Sequence, residues 1–182
     1  MPRGMTTSTD LIALCAKIDL LILDVDGVLT NGSITYTDAG AEIKTFHVRD
    51  GSGLKLWTRL GKKAGIITGR RSPIVDRRAA ELDIAAVIQG AENKHAALTQ
   101  MLQSLSVAAD RVCAMGDDLP DMPVLRACGL AVAVADACDE AKEDADYVTL
   151  ASGGCGAVRE VIELILRAQG RWQEIVARYR DV

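Results

Sequence analysis

Aromatic residues are scarce: they make up 3% of the 182 residues, although hydrophobic residues make up 49%. A core of that composition has to be filled by Leu, Ile, Val and Ala packed between helices and sheet, which suits an α/β protein. A basic surplus is also lacking, since 21 Lys and Arg face 25 Asp and Glu, for a net charge of −4. With no long basic run and no interleaved aromatics, no nucleic-acid partner is expected. Long apolar runs are missing as well. The run at 18–23 stops at Asp24 and Asp26, too soon to cross a bilayer, and 1–17 lacks the apolar stretch of a signal peptide. These features predict a cytosolic protein with no membrane partner. The five cysteines, Cys15, Cys113, Cys128, Cys138 and Cys155, are odd in number and form no C-x-x-C pair. That argues against a disulfide framework or a zinc site and for reduced, mostly buried thiols. The length predicts one domain over residues 1–182.

Short β-branched and Leu-rich runs recur at 18–23, 64–68, 86–89, 112–115, 130–134 and 147–149, each of strand length. Between them, helical periodicity appears at 53–60, 73–82, 94–105, 122–127 and 157–166. Alternation of this kind predicts a doubly wound parallel sheet, with a ligand site beyond the carboxyl ends of the strands. Residues 33–48 differ, with β-formers alternating around the turn-like Thr37-Asp38-Ala39-Gly40. They predict a β-hairpin flap beside the end of the first strand. No stretch between Asp24 and Asp121 has room for a cap domain, and no internal repeat is present.

The run 23–30 sets Asp24 and Asp26 two positions apart at the end of a buried strand. In extended backbone both point to one side. Two like charges so close to an apolar strand are costly unless a cation or proton separates them, and a divalent metal would do so. Alone, Asp26-Gly27 could be a simple turn. Further on, Thr68-Gly69-Arg70-Arg71, Lys94 and Gly116-Asp117-Asp118 with Asp121 each follow a predicted strand or open a helix. Singly these read as a helix-entry turn, a solvated lysine and a helix cap. In this order they form a constellation that favours function.

The constellation resembles the four motifs of the haloacid dehalogenase superfamily: D-x-D-G-x, then Thr or Ser, then Lys, then G-D-x-x-x-D. The resemblance implies that Asp24 is the nucleophile, forming an aspartyl-phosphate, and that Asp26 is acid and then base. It implies Mg²⁺ held by Asp24, the backbone carbonyl of Asp26, and Asp117, with Asp118 or Asp121 behind them. Thr68 and nearby backbone amides, including that of Gly69, would bond the phosphoryl oxygens, and Lys94 would balance charge. Aspartate at 26 favours a hydrolase over a catalyst that only carries phosphate.

Several stretches are similar to one family in particular, the 3-deoxy-D-manno-octulosonate (KDO) 8-phosphate phosphatases of lipopolysaccharide synthesis. They are 24–32, Phe46-His47-Val48-Arg49-Asp50-Gly51, Ile67-Thr68-Gly69-Arg70, Gln89-Gly90, Gly116-Asp117-Asp118-Leu119, 131–137, and 153–160 with its glycines. This likeness implies an uncapped enzyme for a sugar-acid phosphate, assembled as a homotetramer with hairpin flaps packed together and C-terminal segments reaching a neighbour's site. Arg70 would read the sugar-acid carboxylate, since a guanidinium fork suits that group. Arg49 would contact substrate or pair with Asp50 or another acidic neighbour, and both readings stand. His47 and His95 have bland readings, as an exposed strand residue and a solvated helix residue. Cys155 departs from the family, where a basic residue is expected between the glycines, and the tail at 168–182 has no assignment. Two rivals remain: a phosphatase for a nine-carbon, sialic-acid-type sugar 9-phosphate, and a catalytically idle oligomerisation module.

Overall fold

The computed structural model describes residues 8–180. The first seven and last two residues, which fall within the segment read as lacking a signal peptide and within the unassigned tail, lie outside the described residues.

The strand β1 (Leu20–Leu23) is completely buried, as its unbroken apolar sequence requires of a strand covered on both faces. It pairs in parallel with β4 (Lys63–Thr68) on one side and β6 (Val112–Gly116) on the other. β5 (Ala86–Gln89) lies outside β4, and β7 (Leu130–Ala133) and β8 (Tyr147–Val148) lie outside β6, all in parallel. The order β5-β4-β1-β6-β7-β8 reverses direction at β1, so the crevice for a ligand opens at the carboxyl end of that strand. Two groups of helices cover the sheet. The helices α1 (Ser8–Ala16), α2 (Val48–Arg59), α7 (Ala157–Ala168) and α8 (Trp172–Ala177) form one group, and α4 (Lys94–Leu105), α5 (Met122–Ala127) and α6 (Asp139–Glu143) form the other. The helix α3 (Pro73–Glu81) joins β4 to β5. The doubly wound α/β reading is therefore correct. The flap is a separate antiparallel pair, β2 (Thr35–Tyr36) and β3 (Glu42–Ile43), and no cap domain interrupts the described chain.

Element ends differ from expectation in informative places. Helical periodicity predicts a start at Gly53, yet α2 opens at Val48 and takes the last residue expected of the flap. Gly51 and Gly53 conceal this first turn in the sequence, because glycine disfavours helix. Their role is spacing: a Cβ at Gly53 would press on Arg159 and Ile162 of α7, and one at Gly51 on Arg78. Three helices, α1, α6 and α8, have no counterpart in the periodicity reading. The tail is thus partly helical, with Trp172 and Ile175 buried and the guanidinium groups of Arg159 and Arg167 both lying over the Trp172 ring.

Candidate active site

Parallel register places Leu23 beside both Ile66 and Met115, so the residues that follow these three strands converge at one edge. Asp24 leaves β1, Thr68 ends β4, and Asp117 leaves β6. After Asp24 the chain makes one wide turn, Val25–Leu29, in which the Thr30 amide donates to the Val25 carbonyl at 2.9 Å. Gly27 takes φ 104° there, and a Cβ on it would collide with the Asp117 carboxylate. Glycine is needed both for the backbone and for the approach of the second carboxylate. The loop before α7 braces this turn from outside, because Gly153 abuts the Gly27 carbonyl and the Gly154 amide donates to the Val28 carbonyl at 2.9 Å. The glycines at 153 and 154, open in sequence between a helix-entry turn and a flexible tail, therefore support the Asp24 loop.

Lys94 is the first residue of α4, whose N-cap Asn93 accepts from the Ala96 amide at 2.9 Å. A cation at a helix N-terminus opposes the helix dipole. Its Nζ is compensated by donating to Asp24 Oδ1 at 2.8 Å and Asp121 Oδ1 at 2.6 Å, all three side chains being buried. Asp121 Oδ2 accepts from the Asp117 and Asp118 amides at 3.1 and 3.3 Å, which fixes the loop after β6. Burial, with Asp121 adding to it and Lys94 opposing, pushes the Asp24 carboxyl up to about 6. Burial and then the Asp121 and Asp24 charges push Asp117 up to about 7. Burial also works against the Lys94 charge, but the two carboxylates outweigh it and raise that group.

Carboxylate oxygens of Asp24, Asp117 and Asp121 all lie within 4.8 Å of one another. Three carboxylates against one ammonium leave a deficit of positive charge, and an all-oxygen donor set suits a hard divalent cation. Asp121 is already engaged with Lys94 and two amides, so Asp24 and Asp117 are the better placed to hold an ion. The Asp26 side chain turns away from this cluster. Its Oδ1 accepts from Lys44 Nζ and its Oδ2 lies 3.6 Å from Arg70 Nε, so its carboxylate faces the cavity without joining the three clustered carboxylates. Thr68 is buried, and its Oγ1 accepts from the Arg70 amide at 3.4 Å.

These groups line a cavity of about 260 Å³ bounded by Asp24, Asp26, Thr68, Arg70, Lys94 and Asp117, with Gly69 on its wall. A larger hollow of about 570 Å³ lies by the start of β1, but its cations are already engaged, Lys62 and Arg111 with Asp19, Lys63 with the Leu105 carbonyl and Arg171 with Glu174. Size therefore does not decide which is the site. Arg49 is not brought to the cavity within this chain: it is exposed on the first turn of α2, beside Cys155, Arg159 and Glu163. The carboxylate of Asp50, proposed as its partner, instead accepts from the Gly156 and Arg159 amides at 3.2 and 2.8 Å and so caps α7. His47 Nδ1 stands 3.9 Å from Asp50, outside the cavity. Glu42 and Lys44 have no place in the sequence reading of the site. Their spacing of two along the flap, which puts both on one face, is the signal that could have found them.

A parallel sheet reversing at β1, with buried carboxylates after β1 and β6 and a lysine between them, defines a haloacid dehalogenase-like hydrolase. The sequence profile of that family matches residues 79–162. The chain is 47% identical over 167 residues to the 3-deoxy-D-manno-octulosonate 8-phosphate phosphatase KdsC of Escherichia coli, covering 92% of this chain and 89% of that one. The KDO 8-phosphate phosphatase of Moraxella catarrhalis, crystallised with magnesium, phosphate and KDO, superposes with a TM-score of 0.93 at 40% identity, covering 95% of this chain and 99% of that one. The cobalt-bound phosphatase of Haemophilus influenzae gives 0.83 at 41% identity, covering 86% and 92%. The chain belongs to the KDO 8-phosphate phosphatase family.

Proposed function

We propose that this protein hydrolyses KDO 8-phosphate to KDO and phosphate, in lipopolysaccharide synthesis, through an aspartyl-phosphate on Asp24. The observation that carries the reading is the meeting of buried Asp24 and Lys94 with half-buried Asp117 in one cavity at the mouth of the sheet, beside the acid-base candidate Asp26. Asp24, Asp117 and the Asp26 carbonyl would hold Mg²⁺, which when bound supplies positive charge that lets a dianionic ester approach a carboxylate. Lys94 fixes Asp24 through Oδ1 and favours its anionic form against the burial that raises its pKa. An Asp24 oxygen forms the bond to phosphorus as the bond from phosphorus to the C8 oxygen breaks, and Asp26 gives that oxygen a proton. Water then attacks the same phosphorus, Asp26 takes its proton, and Asp24 is released. Thr68 and the Gly69 amide would bond the phosphoryl oxygens, and Arg70, at the cavity rim, would read the sugar-acid carboxylate. Arg49, exposed and away from the cavity, would take part only from another copy of the chain.

We read the whole chain as a single uncapped domain acting in the cytoplasm as a homotetramer. Five cysteines without a disulfide support the reducing compartment. Exposed Ile34, Tyr36 and Ile43 on the flap support assembly. Purified protein given Mg²⁺ and a panel of sugar phosphates is expected to release phosphate fastest from KDO 8-phosphate. Preference for a nine-carbon sugar-acid 9-phosphate would shift the substrate, and no turnover of any ester would leave an oligomerisation module. Asp24→Asn is expected to reduce kcat by at least about 10³-fold with an unchanged melting temperature. Substantial activity in that variant would refute the nucleophile.

A further inference from the structure

Glu42 lies on β3 of the flap, yet its carboxylate is not turned to solvent. Oε1 accepts from Arg70 Nη2 at 3.0 Å and stands 3.4 Å from Lys44 Nζ, while Oε2 accepts from the Ser72 hydroxyl at 2.5 Å. Ser72 occupies the N-cap of α3, where a serine hydroxyl ordinarily accepts from an amide of the helix's first turn. Here it does not cap its helix; its buried hydroxyl donates outward to Glu42, and its own amide donates to the Gln89 side chain at 2.7 Å. The loop between β4 and α3 thus forgoes a local stabilising bond to hold a carboxylate that arrives from another sheet. Hydrogen bonds from Ser72 first, then Arg70, hold that carboxyl below its ordinary range, so it stays anionic.

Arg70 is the group this arrangement orients. Tyr36 Oη, from the other strand of the flap, lies 3.4 Å from the same Nη2 that Glu42 holds, so one edge of the guanidinium is tied to the flap. Its Nε is buried, makes no hydrogen bond, and faces Asp26 Oδ2 at 3.6 Å. A buried unbonded donor beside the cavity is a costly feature unless a ligand oxygen meets it.

We propose that Glu42 is a positioning residue that acts through Arg70: it pins the flap to the β4–α3 loop and fixes the guanidinium so that its remaining donors meet the anionic sugar end of the substrate. The proposal rests on the reading of Arg70 as the group that recognises a sugar-acid phosphate. The test is a double-mutant cycle of Glu42→Ala and Arg70→Ala, with kcat and KM measured on KDO 8-phosphate and melting temperatures measured alongside. Glu42→Ala alone is expected to lower kcat/KM about tenfold, mostly through KM, the scale of one weakened hydrogen bond to a charged group. In the Arg70→Ala background the same change is expected to cost less than about twofold. Glu42→Gln, which keeps an acceptor and similar size, is expected to recover part of the loss and serves as the partner in the cycle should the alanine variant fold poorly. Equal losses in both backgrounds would overturn the proposal and leave Glu42 a structural residue of the flap. No turnover of KDO 8-phosphate by the unaltered protein would instead overturn the substrate reading, so the two failures are distinct.

Discussion

Asp24 and Asp117 keep their protons to about pH 6 and about pH 7 because burial strips water from both and the Asp121 charge stands beside them. In the unfolded chain both ionise near the ordinary value of 3.8. Between those limits the folded state binds more protons than the unfolded state, so the stability these groups contribute is present at low pH and is lost as pH rises through about 7. A divalent ion at the cluster reverses the demand, because it binds the ionised forms and must displace protons wherever they are held. Mg²⁺ is therefore expected to raise the melting temperature more at pH 8 than at pH 6, where it competes with protons. At a hundred times its dissociation constant the ion adds about 2.7 kcal/mol at most. Melting curves with Mg²⁺ and with a chelator at both pH values check this, and equal increments would mean that these carboxylates are not its ligands.

At the scale of elements, α8 shows that the tail has a fixed place. Its Trp172 is 6% exposed and lies 5.1 and 5.3 Å from the Arg159 and Arg167 guanidinium groups on α7. Gln169, between the two helices, donates to the Cys15 and Ile18 carbonyls at 3.0 and 2.8 Å, which ties the tail to the amino end of β1. Trp172→Ala is expected to cost about 3 kcal/mol, the usual loss for truncating a buried aromatic, and to open residues after Gly170 to protease. A urea titration reads the first and a timed digestion the second, and an unchanged midpoint would detach α8 from the fold. This helix was not legible in the sequence, since six residues carry too little periodicity to stand out. The sheet was legible, because 20–23 and 112–115 are unbroken apolar runs, as a strand buried on both faces requires. The positions of Asp24, Thr68, Lys94 and Asp117 were legible for the same reason, each standing at the end of such a run or opening the helix after one. The spacing of two sets Glu42 and Lys44 on one face of the flap, but what that face meets was hidden, because their partners Ser72 and Asp26 lie 30 and 18 residues away and no local pattern encodes such a pairing.

For the whole molecule, the flap joins site and surface. Its inner face sends Glu42 and Lys44 toward Arg70 and Asp26, with the Tyr36 hydroxyl beside Arg70 on that same face, while Ile34 and Ile43 are 52% and 47% exposed. Val48, at the start of the next helix, is 77% exposed as well. So much exposed apolar area on a short hairpin is unfavourable for an isolated chain and favours burial against another copy. With only two residues in each strand, the hairpin gains little from its own ladder, so a neighbour would also steady the residues that face Asp26. Ile43→Asp sets a charge into that surface without touching the bonds made by Glu42. Each contact between copies is expected to lose about 2 kcal/mol, the scale of a central apolar anchor. Light scattering is then expected to show tetramers for the unaltered protein and smaller species for the variant, with kcat/KM on KDO 8-phosphate falling as the assembly dissociates. A single-chain mass for the unaltered protein at full activity would show that the flap holds its place over the site unaided.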